Sequence, residues 1–420
     1  MKIAIIGAGF TGLSAAYKLL QEGHNVTIFE RDSAPGGLAL GYKEKEWDWT
    51  LEYFYHHWFT NDAAVINLAH EIGAPVLIKR PNTSSYINGT MQQLDSPLTL
   101  LTFNKLPLLD RLRMGISLAL LRYNPFWKPL ESVTAASYLS MTMGERAYKM
   151  IWEPLLIGKF RSFVPKISLA WFWARVTKRT TSLAYPEGGF LAFAEKLADT
   201  IKQKGGTIVY NTTVDSITEK AGKVTVGKEG VFDRVIVTLP SGVFAKMAPQ
   251  LPSQYVKKLQ NLESLGALVA IVRMKKDFLP DNIYWLNVCD SKAPLLAIVE
   301  HTHFMGKSHY NNETIVYLGN YLAKDHPYFS LSEKALMKEF DPYLQKIHPG
   351  YEKNVIDVKT YAVPFAQPII PVHYSEQIPP LPTPINHVYL ANMQQVYPWD
   401  RGTNYAVELG EKVAGLVSAS

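Results

Sequence analysis

The sequence is poor in cysteine and contains no long apolar run. Cys289 is the only cysteine among 420 residues, so an intrachain disulfide is excluded and a reducing compartment is expected. No stretch is apolar enough to span a bilayer, and we expect no signal peptide because a strand pattern begins at residue 2. The net charge of +6 is modest. Nucleic-acid binding is not expected, because the aromatic residues do not alternate with basic clusters.

The first thirty residues have the pattern of a strand, a glycine-rich turn, a helix and a second strand. Residues 2–6 form a short apolar run that is typical of a buried parallel strand. Gly7 permits a tight turn, Gly9 lets a pyrophosphate approach the backbone, and Gly12 lets the helix pack on the strand. Glu30 ends the second strand, where its carboxylate can accept hydrogen bonds from a ribose. The stretch therefore predicts a dinucleotide-binding unit.

A second glycine pair, Gly36 and Gly37, follows shortly after Glu30 and suits a cofactor longer than NAD. With this pair, the amino-terminal stretch resembles the flavin-containing amine oxidase and protoporphyrinogen oxidase-like superfamily. In that superfamily the motif holds the ADP half and the pyrophosphate of FAD. The resemblance implies FAD as the cofactor, although Leu38 stands where members usually carry arginine.

The resemblance also implies two further FAD-binding segments, residues 205–240 and residues 387–417. In the family, the amino terminus of the last helix points at the flavin pyrimidine ring, and here Thr403 or Asn404 can cap that helix. The small residues Ala406 and Gly410 favour close packing of the helix. The predicted cofactor-binding residues are Gly7, Ala8, Gly9, Phe10, Thr11, Gly12, Glu30, Arg31, Gly36, Gly37, Leu38, Val214, Thr238, Pro240, Asn392, Met393, Arg401, Gly402, Thr403, Asn404 and Tyr405.

The fold class implied is α/β, with a discontinuous Rossmann-type, GR2-like FAD-binding domain and a substrate domain. We expect residues 1–75, 186–250 and 383–420 in the FAD-binding domain. Residues 76–185 and 251–382 would form the substrate domain, a mixed sheet with a helical insert at about 96–185. The catalytic face is expected where the substrate sheet meets the flavin, because ligand sites favour domain interfaces.

The catalytic candidates fall in three polar and aromatic clusters. His56 and His57 lie in EYFYHHWF, where in the family the chain runs towards the flavin, and as strand neighbours they would point to opposite sides. Glu300 and His301 lie in VEHTHF, which reads as a strand. Substrate contact is favoured there over a metal site, since no further ligand cluster completes one. The third cluster, VYPWDRG, supplies Tyr397 and Trp399, since amine oxidases of the family place an aromatic residue there.

Two basic groups complete the candidates. Lys159, Arg161 and Arg175 can form an anion-binding edge, with most neighbouring tryptophans in the core. Residues 105–128 are basic and amphipathic, which fits either a peripheral membrane contact or a solvated helix face.

The sequence predicts an FAD-dependent oxidoreductase that transfers a hydride from a substrate C–H bond to flavin N5. The substrate class stays open between an amine, a porphyrinogen and an isoprenoid. The alternatives are a non-redox enzyme resembling UDP-galactopyranose mutase, an isoprenoid desaturase-like enzyme at a membrane, and a flavoprotein that binds without turnover. A small-molecule substrate, no resident metal and a cytoplasmic location, with peripheral membrane contact as an option, are expected.

Overall fold

The computed structural model describes all 420 residues. Three separated segments of the chain supply one parallel five-stranded sheet. Each strand is short and apolar, as expected of strands covered on both faces. Their order across the sheet is Thr207–Val209, Asn25–Phe29, Lys2–Ile6, Arg234–Val237 and Val388–Leu390. A small antiparallel sheet, Ile217–Lys220, Lys223–Val226 and Gly230–Phe232, lies within the second segment, between the strands Thr207–Val209 and Arg234–Val237.

A second, seven-stranded sheet is built mainly from the later half of the chain. It is antiparallel except where Ile283–Val288 pairs with Asn82–Ile87. The order is Val355–Pro368, Ser264–Met274, Thr314–Leu322, Ala297–Glu300, Ile283–Val288, Asn82–Ile87 and Thr90–Gln93. Smaller pairings join Trp58–Phe59, Leu183–Pro186 and Val76–Lys79, and also Gly41–Tyr42 and Leu51–Glu52.

Helices cover the sheets and fill the stretch between the first two segments. The predicted helical patterns in SPLTLL, TAASYL and GFLAFAEKLADTIKQKG are confirmed as Pro97–Leu101, Ala135–Met143 and Phe190–Gln203. None of the helices combines the length and the apolar character needed to cross a bilayer. The remaining helices are Phe10–Gln21, Ala63–Glu71, Leu108–Tyr123, Glu145–Ala147, Glu153–Phe160, Leu169–Lys178, Ser241–Met247, Ser253–Gln260, Thr302–Met305, Glu333–Ile347, Tyr374–Gln377 and Thr403–Ser418.

The two helices that matter most for the site run side by side on the parallel sheet. Helix Phe10–Gln21 follows the strand Lys2–Ile6, and helix Thr403–Ser418 follows Val388–Leu390. Ser14 Oγ lies 3.3 Å from the Val407 carbonyl oxygen, and a Cβ on Gly410 would lie 2.0 Å from Ser14 Oγ. The predicted close packing at Gly410 is therefore confirmed. Both helices begin at the carboxyl edge of the sheet, where open α/β sheets bind ligands.

Candidate functional site

The turn after the first strand leaves free space at one of its three glycines. A Cβ on Gly7 would lie 2.6 Å from Thr238 Oγ1, and one on Gly12 would lie 2.0 Å from the Gly7 carbonyl oxygen. Packing of the protein itself thus requires these two glycines. A Cβ on Gly9 would meet only the Cα of Gly37, at 3.8 Å. The missing side chain at Gly9 therefore leaves room for a ligand, which fits the approach of a pyrophosphate.

The helix after this turn offers uncapped backbone amides. Helix Phe10–Gln21 begins after Gly9 without a side-chain cap and without an acidic residue in its first turn. Its amino terminus is therefore free to bind an anion through N–H groups and the helix dipole. Beside it, the carboxylate of Glu30 accepts hydrogen bonds from the Ala8 amide at 2.6 Å and the Asp32 amide at 3.0 Å. These bonds fix Glu30 at the end of its strand, while its remaining lone pairs can accept from a ribose.

The second glycine pair lies against the first turn. The Gly36 amide donates to the Ala8 carbonyl at 2.9 Å, and Gly36 and Gly9 form an isolated parallel bridge. Gly36 has φ +130°, a conformation that favours glycine. Leu38 is half-buried directly after the pair, and Arg31 points to solvent with a side chain that is 74% exposed. The two glycine-rich loops thus meet without an arginine side chain between them, and backbone amides are the groups there that can donate to an anion.

The polar side chains of the middle segment, and of the residues after the strand Val388–Leu390, form hydrogen bonds within the protein. Thr238 Oγ1 donates to the Ile6 carbonyl at 2.8 Å, and Pro240 precedes the helix Ser241–Met247. The buried Asn392 donates to the Leu239 carbonyl at 3.0 Å and accepts from the Gln394 amide at 3.0 Å. Asn392 therefore ties neighbouring strand ends together. Val214 is buried in the core beside the small antiparallel sheet, and Met393 begins a short 3-10 turn.

The last helix also begins with open amides, but not in the predicted way. Helix Thr403–Ser418 follows Gly402 and has no side-chain cap, so the prediction that Thr403 or Asn404 caps it is wrong. Instead, Thr403 Oγ1 accepts from Trp58 Nε1 at 2.6 Å, and Asn404 Oδ1 accepts from the Val65 amide at 3.2 Å. Both side chains thus accept hydrogen bonds from neighbouring segments, the strand Trp58–Phe59 and the helix Ala63–Glu71, and not from the first-turn N–H groups of their own helix, which stay free. This positive helix end is available to stabilise negative charge.

The histidine pair lies in a loop beside this helix end. Residues 53–57 connect the strands Leu51–Glu52 and Trp58–Phe59, so the predicted strand at His56 and His57 is wrong. His56 Nδ1 lies 2.6 Å from the Phe54 carbonyl, which can only accept, so Nδ1 carries the proton. His57 Nδ1 lies 3.1 Å from the Tyr284 hydroxyl. Burial lowers the pKa of His56 to about 4 and that of His57 to about 3, so both rings are neutral at pH 7.

Charged side chains gather directly before the last helix. Asp400 accepts from Arg175 Nη1 at 2.5 Å and from Trp171 Nε1 at 3.0 Å, and Lys159 Nζ lies 3.9 Å away. Arg401 donates to the Tyr321 hydroxyl, which belongs to the seven-stranded sheet. Although burial opposes ionisation, Lys159, Arg175 and Arg401 together hold the pKa of Asp400 below its usual range. The cluster therefore joins the helical stretch, the second sheet and the loop before the last helix.

The two aromatic candidates of this loop lie in different places. Trp399 stacks on Trp173 at 5.2 Å and on Tyr405 at 6.0 Å between ring centroids, next to the start of the last helix. Tyr397 instead packs edge-on against Trp127 at 5.2 Å, within the helical core. Of the two, Trp399 is the one placed to form a wall of a ligand site.

Glu300 and His301 are placed apart from the histidine loop. The strand ends at Glu300 and a short helix, Thr302–Met305, follows, so the prediction of one strand through VEHTHF is wrong. Glu300 accepts from the Phe278 and Leu279 amides at 3.0 and 2.7 Å, and burial raises its pKa to about 8. His301 Nε2 lies 2.8 Å from the Tyr310 hydroxyl, and burial lowers its pKa to about 3. Their polar contacts join the end of a strand of the seven-stranded sheet to a loop and a short helical turn beside it.

Glu300 and two neighbouring side chains have the ligand types of a metal site. Donor atoms of Asp277, Glu300 and His303 lie within 4.8 Å of one another. Lys307 already pairs with Asp277, and Thr314 donates to the same oxygen at 3.1 Å. The arrangement therefore works as a polar network that fastens the short helix to the sheet.

Sequence reasoning missed two tyrosines that help to bring this region together. Tyr55 packs edge-on against Trp285 at 4.9 Å and lies against Gly319, whose Cβ would come within 2.5 Å of the Tyr55 ring. Tyr321 receives the hydrogen bond of Arg401. The alternation in the strand Thr314–Leu322 puts Tyr317 and Tyr321 on one face, a signal that was available in the sequence.

The sequence and the fold of this chain are similar to those of known proteins. A family model described as flavin containing amine oxidoreductase matches residues 10–417. Coproporphyrinogen III oxidase of Staphylococcus aureus is 27% identical over 307 residues, which cover 62% of this chain and 65% of that protein. Zeta-carotene desaturase of Zea mays is 31% identical over 133 residues, which cover 29% of this chain and 23% of that protein. Each match thus spans less than two thirds of the relative's length.

Solved structures share the fold over the whole chain. Reduced UDP-galactopyranose mutase has a TM-score of 0.76 and 16% identity, covering 99% of this chain and 96% of that one. A variant of putrescine oxidase has a TM-score of 0.75 and 15% identity, covering 100% and 98%. These likenesses confirm the predicted α/β fold class.

Proposed function

Because this chain belongs to the family of flavin-containing amine oxidoreductases, we propose that it transfers a hydride from a C–H bond of a small molecule to FAD. The predicted family, its flavin cofactor and the class of enzyme, a flavin-dependent oxidoreductase, are confirmed by the family match. The reaction itself, the roles of single residues and the identity of the substrate belong to the proposal.

The observation that carries the proposal is the pair of uncapped helix amino termini at one edge of the parallel sheet. One faces the glycine turn with its free space at Gly9, and the other follows Arg401 and Gly402. Neither has an acidic residue in its first turn. Two positive helix ends suit a cofactor with a diphosphate near one end and a ring that gains negative charge near the other.

Bound FAD would supply the hydride acceptor at its N5 atom. The chain's own residues bind, orient and shield the reactants. Glu30 would accept from the ribose, and the amides after Gly9 would hold the diphosphate. The neutral imidazoles of His56 and His57 can act as hydrogen-bond acceptors that orient a substrate hydroxyl. Trp399 and its stacked neighbours would exclude water from one side of the site.

The relatives leave several substrates open. Their names include a porphyrinogen, a carotene, an amine and a sugar nucleotide, and any of these classes fits a flavin enzyme of this family. Anaerobic mixing of the FAD-loaded chain with one compound of each class tests the proposal, because the true substrate bleaches the flavin absorption without added reductant. A chain that turns over a sugar nucleotide only after prior reduction, with no net electron transfer, is a mutase and contradicts it.

We also propose that the amphipathic stretch 105–128 contacts a membrane surface. Nine large apolar side chains between residues 98 and 126 are exposed to solvent. They are Leu98, Leu101, Leu108, Leu109, Leu112, Ile116, Leu120, Tyr123 and Phe126. Within the helix Leu108–Tyr123, positions 109, 112, 116, 120 and 123 follow helical spacing and share one face.

Basic side chains frame this apolar face. Lys105, Arg113, Arg122 and Lys128 are exposed around it. A monomer rarely exposes so large an apolar patch to water, and flanking cations favour an anionic lipid surface. The proposed contact is therefore peripheral, with the helix lying in the plane of the interface. The cytoplasmic location stays a prediction.

Sedimentation with vesicles of phosphatidylglycerol and phosphatidylcholine tests this contact. We expect the chain to sediment with the vesicles, and the triple variant L112S/I116S/L120S to stay in the supernatant. The matched control V231S/V243S/I356S removes three exposed apolar residues elsewhere and should bind normally. Failure of the chain to bind, equal binding by both triple variants, or a dimer closed through this face in the absence of lipid contradicts the proposal.

A further inference from the structure

Four cationic side chains converge beside the start of the last helix. Lys159 comes from helix Glu153–Phe160, Arg175 and Arg179 come from helix Leu169–Lys178 and the residue after it, and Arg401 comes from the loop before the last helix. Asp400 faces this group at 2.5 Å from Arg175 and 3.9 Å from Lys159. Burial lowers the pKa of Arg179 to about 10, and the charge of Asp95 partly opposes this shift. Four cations thus face two carboxylates, which leaves a formal excess of two positive charges.

Lys159 is largely buried and Arg401 is half-buried, whereas the Arg175 side chain is 39% exposed and Arg179 as a whole residue is exposed to solvent. The Lys159 side chain is only 13% exposed, and its ammonium lies over the rings of Tyr321 and Trp171 at 5.2 and 5.5 Å. Arg401 Nε is buried and has no hydrogen-bond partner. Burial lowers the pKa of Lys159 well below its usual value, and the neighbouring carboxylate of Asp400 opposes this shift and favours the charged form. Burying unpaired cations is costly, so a ligand that brings negative charge would stabilise the arrangement.

The cluster lies beside the proposed reaction site and away from the phosphate turn. After burial, the charge of Arg401 contributes to the low pKa of His56, and the charges of Arg179 and Arg175 contribute to the low pKa of His57. The hydrogen bonds and ion pairs of the four cations reach Asp400, Tyr321 and the second sheet. None reaches residues 7–12 or 36–38, where the diphosphate of FAD is expected. The excess positive charge is therefore available to a second ligand.

We propose that the substrate of this enzyme carries at least two anionic groups, carboxylate or phosphate, which bind Lys159, Arg175, Arg179 and Arg401. Asp400 positions Arg175 and Lys159 for this contact. Charge repulsion excludes small dications such as diamines from the same place. The inference rests on the proposed oxidoreductase function and narrows its substrate class.

Ligand binding to the FAD-loaded chain tests the inference without turnover. The probes are uridine diphosphate for phosphate, benzene-1,2,4,5-tetracarboxylate for carboxylate, and 1,4-diaminobutane as the cation. Binding is followed by the change in flavin absorption and by calorimetry. We expect at least one anion to bind below millimolar concentration and more weakly as salt is added, and the diamine not to bind. The stronger of the two anions identifies the charged group of the substrate.

Substitutions within and outside the cationic cluster test whether the anions bind there. Arg175→Gln and Lys159→Met should each raise the Kd of the anion about tenfold or more, because each removes a charge-assisted contact. Lys166→Gln, at an exposed ion pair with Glu263, should leave the Kd unchanged. FAD content and circular dichroism are measured for every variant, so that a loss of folding or of cofactor is recognised. A folded Lys159→Met that binds anions like the parent, binding of the diamine, or the absence of any anion binding overturns the inference.

The outcome also separates this inference from the proposed function. A chain that holds FAD and is reduced by a neutral or cationic compound overturns the anionic substrate alone. A chain whose flavin no class of compound reduces, but which binds the anions at the cluster, overturns the hydride transfer alone.

Discussion

Replacement of Gly9 by alanine separates cofactor binding from folding. Gly9 has φ −73° and ψ 172°, which alanine adopts without strain. The nearest protein atom to an added Cβ is the Cα of Gly37, at 3.8 Å, an ordinary contact distance. We therefore expect the free energy of unfolding of the apoprotein to change by less than about 1 kcal/mol, with the alanine also reducing the entropy of the unfolded chain.

The affinity for FAD should respond quite differently. The added methyl group would fill the space beside the turn, so that phosphate oxygens can no longer approach the first backbone amides of helix Phe10–Gln21. Loss of one charge-assisted hydrogen bond costs about 1.5–3 kcal/mol. The Kd for FAD should accordingly rise by about 10-fold to 150-fold in Gly9→Ala.

Urea unfolding of the apoprotein and titration with FAD, followed by flavin fluorescence, measure the two effects separately. Gly242→Ala is the matched control, because no atom lies within 4 Å of its Cβ. It should leave the Kd for FAD unchanged and, since Gly242 lies in the helix Ser241–Met247, raise the free energy of unfolding by no more than about 1 kcal/mol. Gly12→Ala places a Cβ 2.0 Å from the Gly7 carbonyl oxygen and should lose stability even without FAD. The reasoning is refuted by a Gly9→Ala apoprotein destabilised by more than about 2 kcal/mol, or by one that binds FAD like the parent.

Three further substitutions test the packing around the site. Trp58→Phe removes the hydrogen bond to Thr403 and should lower the free energy of unfolding by about 1 kcal/mol in urea; no change would show that the bond is unimportant. Glu300 ionises in the unfolded chain before it does in the folded one, since burial raises its pKa to about 8. Between about pH 4.5 and pH 8 the parent should therefore lose about 1.4 kcal/mol per pH unit relative to Glu300→Gln in chemical denaturation, and parallel pH profiles would refute this. Gly410→Ala puts a Cβ 2.0 Å from Ser14 Oγ and should cost about 1–3 kcal/mol, seen as a lower Tm, whereas an unchanged Tm would contradict the close helix contact.

The features that could be predicted from the sequence depend on short-range rules. The turn at Gly7, Gly9 and Gly12 is set by which residue types fit a strand–turn–helix connection, and all of it lies within a dozen residues. The last helix is equally local, since its spacing and its small residue at Gly410 can be read directly. Family and cofactor follow from such local motifs.

The wrong predictions arose where side chains compete with regular backbone pairing. At His56, the ring donates to the Phe54 carbonyl, and that bond occupies a group that a strand ladder would use. At Glu300, the carboxylate binds two backbone amides of another segment, and the chain turns into a short helix directly afterwards. Thr403 does not cap its helix because its hydroxyl accepts from Trp58. The partners of Glu300 and Thr403 are distant in sequence, whereas Phe54 lies only two residues before His56.

The cationic cluster illustrates the same limit for the site. Lys159, Arg175 and Arg401 were visible as basic residues, but Asp400 and Tyr321 meet them only through long-range folding. More than two hundred residues separate Lys159 from Arg401 in the chain. That these side chains lie close together in space, and so create an excess of positive charge, could be seen only once the arrangement of both sheets was known.

The FAD content of the native chain tests the central claim most directly. The protein is purified in the presence of added FAD, freed of excess cofactor, and denatured, and the released flavin is quantified against the protein concentration. We expect one noncovalently held FAD per chain. A folded chain that releases no flavin, and that gives no heat on titration with FAD, would contradict it.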